Sequence, residues 1–222
     1  MKAKAEPDYR FYALYDKLYR TDVLAIAYSR CRANKGAPGV DGQSFEQVEQ
    51  YGREQWIGEL AKSIRTGLYR PQAIRRVYIV KPNGKLIVAE QLRPLGIPTL
   101  QDRVLMMAAV MVLNPIFEAD LMPQQYAYRE GRNAHDALTS VRQNLNTGLV
   151  DVVDADLSDY FGTIPHSALM RSVARRIVDK KMLNLIKSWL GIAVEETDAR
   201  GHKSRTTESR DTGIGIPQGG LD

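Results

Sequence analysis

Leu149-Val-Asp-Val-Val-Asp-Ala-Asp156 is an apolar run that ends in carboxylates. Its β-branched residues predict a buried strand over 149–156, and a buried strand commits the chain to a sheet. Asp154 and Asp156 are two apart, so a straight strand puts them on one face. Asp156 sits where the apolar pattern stops. It is the stronger candidate for a metal ligand, and the Leu157 carbonyl could add an oxygen. Phe161 follows five residues after Asp156, and Pro217-Gln-Gly-Gly220 comes about fifty-five residues further on. Carboxylates on a rigid strand end, an aromatic and a Gly-rich turn carrying an amide suit Mg²⁺ with a nucleoside triphosphate. Taken alone, an Asp at a strand end is more often a turn initiator or a helix cap. Asp159 reads as a cap or a solvent-facing residue.

The placement of charge says more than its sum, which is +5. Residues 61–100 hold eight Lys/Arg (among them Lys62, Arg65 and Arg70) and one acid. Residues 171–190 hold Arg171, Arg175, Arg176, Lys180, Lys181 and Lys187 against one acid. Acids gather instead at 41–59, 151–159 and 195–198. Basic blocks around a compact acidic cluster fit a polyanion-binding surface around a metal; solvated helix faces account for part of them. Cys31 is the single cysteine, which leaves no disulfide framework and makes a cytoplasmic location the expectation. The first residues lack the apolar core of a leader. The longest apolar run, 104–113, is too short to span a bilayer, reads as a buried helix and implies no membrane partner.

Periodicity predicts helices over 9–32, with a break near Thr21-Asp22, and over 45–67 behind a Ser44 N-cap. Further helices fall over 101–113 and 133–145, with one or two more over 166–190 stopped by Gly191. Alternation over 75–80 followed by Pro82-Asn-Gly84 predicts a strand, a tight turn and a second strand near 85–88. Residues 93–98 read as irregular or extended because each Pro biases its predecessor away from the α region. Residues 192–196 and 206–209 read as a hairpin around a polar tip. Early helices with later hairpins make the fold class α+β. His135 and His166 read as local structural residues, and with three histidines in all no His-rich metal site is credible.

Six collinear blocks carry a resemblance: Asn34–Gly42, Tyr69–Lys85, Arg93–Arg103, Tyr128–Leu138, Asp154–Phe161 and Gly215–Gly220. Together they resemble the reverse transcriptases encoded by bacterial group II introns, the maturases, over nearly the whole chain. The resemblance implies a fingers-palm, right-hand polymerase fold, with helices on an antiparallel sheet. Fingers would cover 1–100 and 165–215, and palm 101–164 and 216–222. It implies RNA-directed DNA polymerisation with two Mg²⁺ ions, deoxynucleoside triphosphates, an RNA template and DNA primer, and structured intron RNA as a partner. A homodimer is left open.

By the same resemblance Asp156 is the first catalytic carboxylate, with Leu157 lending its carbonyl. Phe161 is the aromatic gate under the sugar. Arg75, Lys81 and Arg103, and less firmly Arg93, meet the triphosphate. Ile97 packs on the templating base, and Gln218 sits near the incoming nucleotide. Two departures matter. Residues 86–91 lengthen the fingertip, which unsettles Lys85 and Arg93. The aromatic-x-Asp-Asp block is absent, so residues 1–222 alone are expected to be inactive. The rival readings are an RNA-binding maturase module, seated on the N-terminal helices and the 171–187 face, and a retron or CRISPR-associated reverse transcriptase.

Overall fold

The computed structural model describes residues 2–80, 92–198 and 200–216. The expected turn at 82–84, the strand at 85–88, Lys81 and Gln218 therefore lie outside the described residues. The chain forms two compact units. The smaller holds residues 1–9 and 113–158, and the larger holds 10–112 and 159–222.

The larger unit opens with short α2 (Tyr15–Leu18) and α3 (Thr21–Ala33), which bury Leu18, Leu24, Ala27, Tyr28 and Cys31. Helix was expected from residue 9 but starts only at Tyr15, and the expected break near Thr21 falls between α2 and α3. Residues ahead of Tyr15 run extended, with Phe11 bridged to Ile177. The helix expected over 45–67 is two: α4 (Phe45–Tyr51) and α5 (Arg53–Arg65). They part at Gly52, whose φ of 112° no L side chain adopts readily. Ser44 caps α4 with a reciprocal Gln47 box. Tyr28 packs edge-on against Phe45 and Trp56, with ring centroids 5.5 and 5.9 Å apart, and these rings form the centre of the helical core. α6 (Leu100–Phe117) is long and apolar enough to cross a membrane by composition. Leu100, Val104, Leu105 and Ala108 lie on one face of it and are buried in the core.

Against these helices stands a four-stranded sheet in the order β2-β1-β3-β4, made of β1 (Ile74–Val80), β2 (Leu92–Ile97), β3 (Val194–Thr197) and β4 (Lys203–Thr206). The sheet is mixed rather than antiparallel: β1 pairs antiparallel with β2 but parallel with β3, at Ile74↔Val194 and Arg75↔Glu195. The 93–98 segment is a strand, and Pro94 fits because β2 is an edge. The hairpin register differs from expectation. The returning strand is 203–206, and short α11 (Glu208–Thr212) already occupies the place given to it. Its four residues are all exposed and lack apolar alternation, so no periodic signal marks it. Between the two parts of the sheet the chain runs through α8 (Tyr160–Thr163), α9 (His166–Ala174) and α10 (Lys180–Leu190), with Gly191 closing α10.

The smaller unit contains α1 (Lys2–Ala5), the end of α6, a 3₁₀ turn at Glu118–Asp120 and α7 (Ala134–Asn146). The Arg129 guanidinium pins this unit by donating to Glu118 and to the carbonyls of Met122 and Gln125, both at 2.8 Å. Asn133 caps α7 in a reciprocal box with Asp136, and the His135 N–H donates to Asn133 Oδ1 at 2.8 Å. The strand expected over 149–156 does not form. The segment has no regular secondary structure, pairs with no strand among the described residues, and is exposed, with Val153 at 93%. An apolar run reports a need for burial; a strand forms only when neighbours take its N–H and C=O groups. The Leu138, Val141 and Leu145 face of α7 is uncovered in the same way.

Candidate active site

In the larger unit, the β1–β2 register sorts the basic strand residues onto two faces. Arg75, Val77 and Ile79 stand opposite Ile97, Leu95 and Arg93; Arg76 and Tyr78 stand opposite Gly96 and Pro94. The second face lines a cavity of about 240 Å³ with Arg76, Tyr78, Pro94, Gly96, Asp159 and Gly162. Arg76 Nη1 and the Tyr78 hydroxyl both donate to Glu196 Oε1, at 3.0 and 2.8 Å. That bond to Glu196 is the main reason the Tyr78 phenol titrates above its usual value. Arg75, the residue expected to meet the triphosphate, stands on the other face.

Asp159 is exposed, as expected, and stands at the N-cap position of α8 without a side-chain cap bond. Its φ is 44°, a left-handed conformation uncommon for a non-glycine residue, and its carboxylate lies over Gly162, where any Cβ would collide with it. Its carbonyl accepts from Thr163 N and Oγ1 at 3.1 and 2.9 Å, which closes α8. Phe161 is half-buried, 5.4 Å from the Tyr160 ring and edge-on to it. The turn is tied to the segment leading into Pro217. Ile216 N donates to the Phe161 carbonyl and Gly215 N to that of Ile164, each at 2.9 Å. His166 Nε2 lies 2.7 Å from the Gly215 carbonyl, the structural role expected of it.

Elsewhere in the larger unit lies a buried polar network. Asp102 is 1% exposed and accepts from Tyr69 Oη at 2.5 Å, Thr99 Oγ1 at 2.8 Å and Gln72 N at 3.1 Å. Trp189 Nε1 donates to Tyr69 Oη at 3.1 Å. Burial raises the Asp102 carboxyl above its usual range, and the three hydrogen bonds oppose that only in part. Thr99 precedes α6 with Asp102 three residues on, a capping pattern that could have revealed this pair from the sequence.

Arg103 is 6% exposed, and its Nη2 donates to the Ala37 and Pro98 carbonyls at 2.6 and 3.1 Å. Burial lowers its pKa. The side chain expected to meet a triphosphate is thus turned inward, where it pins the glycine loop at 36–42. Gly39 completes that junction: a Cβ there would lie 2.7 Å from Thr99 N and Cα.

Asp156 and Leu157 belong to the smaller unit and are exposed; Asp156 Oδ1 accepts from Leu157 N at 2.9 Å. Among the described residues no cluster of three metal-ligating side chains occurs. The donors present, a carboxylate and an adjacent carbonyl, are hard oxygens of the kind Mg²⁺ takes. Of the bases expected on an RNA-binding surface, Lys62, Arg65, Arg70, Arg171, Arg175, Lys180, Lys181 and Lys187 are exposed. Arg176 is the exception: it is 4% exposed, and its carbonyl accepts from Phe11 N at 2.7 Å. The Phe11–Ile177 bridge carries it inward.

The larger unit thus offers a basic mixed sheet and a tight aromatic turn, and the smaller unit an exposed aspartate-bearing segment. Residues 79–221 match the family described as reverse transcriptase (RNA-dependent DNA polymerase), and the chain belongs to that family. It is 34% identical over 226 residues to protein YkfC of Escherichia coli (strain K12), covering 99% of this chain and 55% of that one. It is 31% identical over 211 residues to the group II intron-encoded protein LtrA of Lactococcus lactis subsp. cremoris, covering 95% of this chain and 32% of that one. The resemblance to the intron-encoded enzymes therefore holds. A solved partial Cas6-RT-Cas1–Cas2 complex superposes with a TM-score of 0.52 over 94% of this chain and 32% of that one. At 20% identity, that likeness concerns the fold alone. The chain spans about half the length of the first relative and a third of the second.

Proposed function

We propose that the whole protein carrying this chain is a group II intron-type reverse transcriptase that extends a DNA primer on an RNA template. The observation that carries this reading is the hydrogen-bonded junction of the 159–164 turn with residues 213–216. It joins the aromatic that follows Asp156 to the lead-in of the Pro-Gln-Gly block, two segments far apart in sequence. Asp156 and the Leu157 carbonyl would hold Mg²⁺, which supplies charge neutralisation for nucleotidyl transfer. Phe161 would pack beneath the sugar and reject a 2′-hydroxyl by sterics. Arg76 would orient triphosphate oxygens from the cavity face, with Lys81, Arg93 and Gln218 as further nucleotide contacts and Ile97 beside the template. Arg103 would act at one remove, by holding the glycine loop. Relatives above 30% identity include an intron-encoded protein, which favours this class over retron or CRISPR-associated enzymes.

The test is primer extension on an RNA template by the whole protein. Activity abolished by Asp156→Asn, together with gain of ribonucleotide incorporation in Phe161→Ala, is expected. Undiminished extension by Asp156→Asn would refute the assignment.

A further inference from the structure

Three of the exposed bases, neighbours Arg65 and Arg70 and the distant Lys181, line one cavity. A cavity of about 480 Å³ opens between the C-terminal end of α5 and the first turns of α10, lined by Tyr15, Arg65, Arg70, Lys181, Asn184 and Ser188 among others. No acid lines it. Two carboxylates stand behind its walls: Asp102 is buried and accepts from Tyr69, and Asp179 is occupied by four backbone N–H groups, Oδ2 accepting from Leu14 and Tyr15 and Oδ1 from Lys181 and Met182. Among the described residues Arg65, Arg70 and Lys181 form no ion pair.

Two of the groups are already oriented. Arg70 Nη1 donates to the Gly67 and Tyr69 carbonyls at 2.8 and 2.7 Å, which holds its guanidinium at the cavity edge. Tyr15 donates to the Ile64 carbonyl at 3.1 Å, and Lys181 Nζ lies 5.8 Å from the Tyr15 ring centroid. Lys181, Asn184 and Ser188 follow one another along a single face of α10. The volume matches a nucleotide-sized ligand. One fixed and two exposed cations beside an aromatic and two small polar side chains suit a phosphate with its attached ribose or base.

We propose that this cavity binds the phosphodiester backbone of an RNA strand, with the phosphate held by Arg65, Arg70 and Lys181 and the adjoining nucleotide against Tyr15. The proposal rests on the reading of the whole protein as an RNA-handling enzyme, but its residues are separate from those given the chemistry.

The test is fluorescence-anisotropy titration of a labelled single-stranded oligoribonucleotide across a salt series. The Arg65→Ala/Lys181→Ala variant is compared with Arg30→Ala/Arg53→Ala, a charge-matched control on the wall of a different cavity. Loss of two phosphate contacts should lower the slope of log K against log salt by about 1.4, since each contact on a single strand contributes about 0.7. Affinity should fall about tenfold or more at moderate salt, and the control should change little. Equal losses in both variants, or none in Arg65→Ala/Lys181→Ala, overturn the proposal. A mononucleotide that competes as well as the oligonucleotide overturns it too, because the cavity would then be a free-nucleotide pocket. A deoxyoligonucleotide of the same sequence is expected to bind more weakly, and equal binding would remove the assignment to RNA. Failure of the polymerase reading would appear separately, as primer extension insensitive to Asp156→Asn while the binding difference persists.

Discussion

Tyr69→Phe removes one oxygen from the buried Asp102 network, and its cost follows from the geometry. The hydroxyl donates to the Asp102 carboxylate at 2.5 Å and accepts from Trp189 Nε1 at 3.1 Å. A net hydrogen bond to a charged group contributes about 1.5–3 kcal/mol. The half-buried indole N–H adds roughly 0.5–1 kcal/mol, because water can reach it in part. The variant should therefore lose about 2–4 kcal/mol at neutral pH.

Urea denaturation followed by tryptophan fluorescence measures this loss cleanly. The two tryptophans, Trp56 and Trp189, both lie in the larger unit, so the signal reports that unit alone. The pH dependence gives a second check. Burial raises the Asp102 carboxyl in the folded state, so stability from this group is fully present below the unfolded carboxylate pKa and is lost as pH rises through the folded value. The Tyr69 hydroxyl is one of the groups holding that value down, and removing it pushes the carboxyl higher still. The difference between the parent and Tyr69→Phe should thus be smallest in acid and grow toward neutrality. A loss under about 0.5 kcal/mol at pH 7, or a difference that widens as pH falls, would refute the reasoning.

Three further outcomes are expected. Asp156→Asn in the whole protein should cut primer extension by a factor of about 10² or more while leaving the denaturation curve unchanged, since Asp156 is exposed and bonds only Leu157 N. Gly39→Ala should cost about 1–3 kcal/mol by forcing the loop away from the Pro98–Thr99 backbone, read by the same urea titration. Burial pushes the Cys31 thiol up to about 11, so a thiol reagent at pH 8 should label it only after urea is added.

The elements that could be read from sequence are those marked by local chemistry. The Ser44 cap, the Gly191 stop and the 75–80 alternation each determine their own neighbourhood, and each stands where the sequence pattern placed it. What could not be read depends on residues elsewhere. Val150, Val152 and Val153 announce a strand without supplying the neighbour it must pair with. Arg175 and Arg176 look alike as charges, yet the non-local Phe11–Ile177 bridge sends one to solvent and the other inside. Arg75 and Arg76 differ only by which side of one strand they take, and residues 159–162, more than eighty positions on, decide which side has a cavity. The polymerase family was legible because its blocks are collinear.

The parallel pairing of β1 with β3 also fixes an order of events during synthesis. The strands it joins lie about 120 residues apart, as in the Arg76–Glu196 contact across them. At roughly 5–20 residues per second, the ribosome takes about 6–24 s to deliver Val194 after Ile74 has emerged. Throughout that interval the inner edge of the β1–β2 pair is open, the condition under which strands join the wrong neighbour. Arg75 and Arg76 stand on that edge, and charge on an open edge discourages such pairing. The same guanidinium that lines the cavity in the finished protein thus guards the nascent chain until its proper partner arrives.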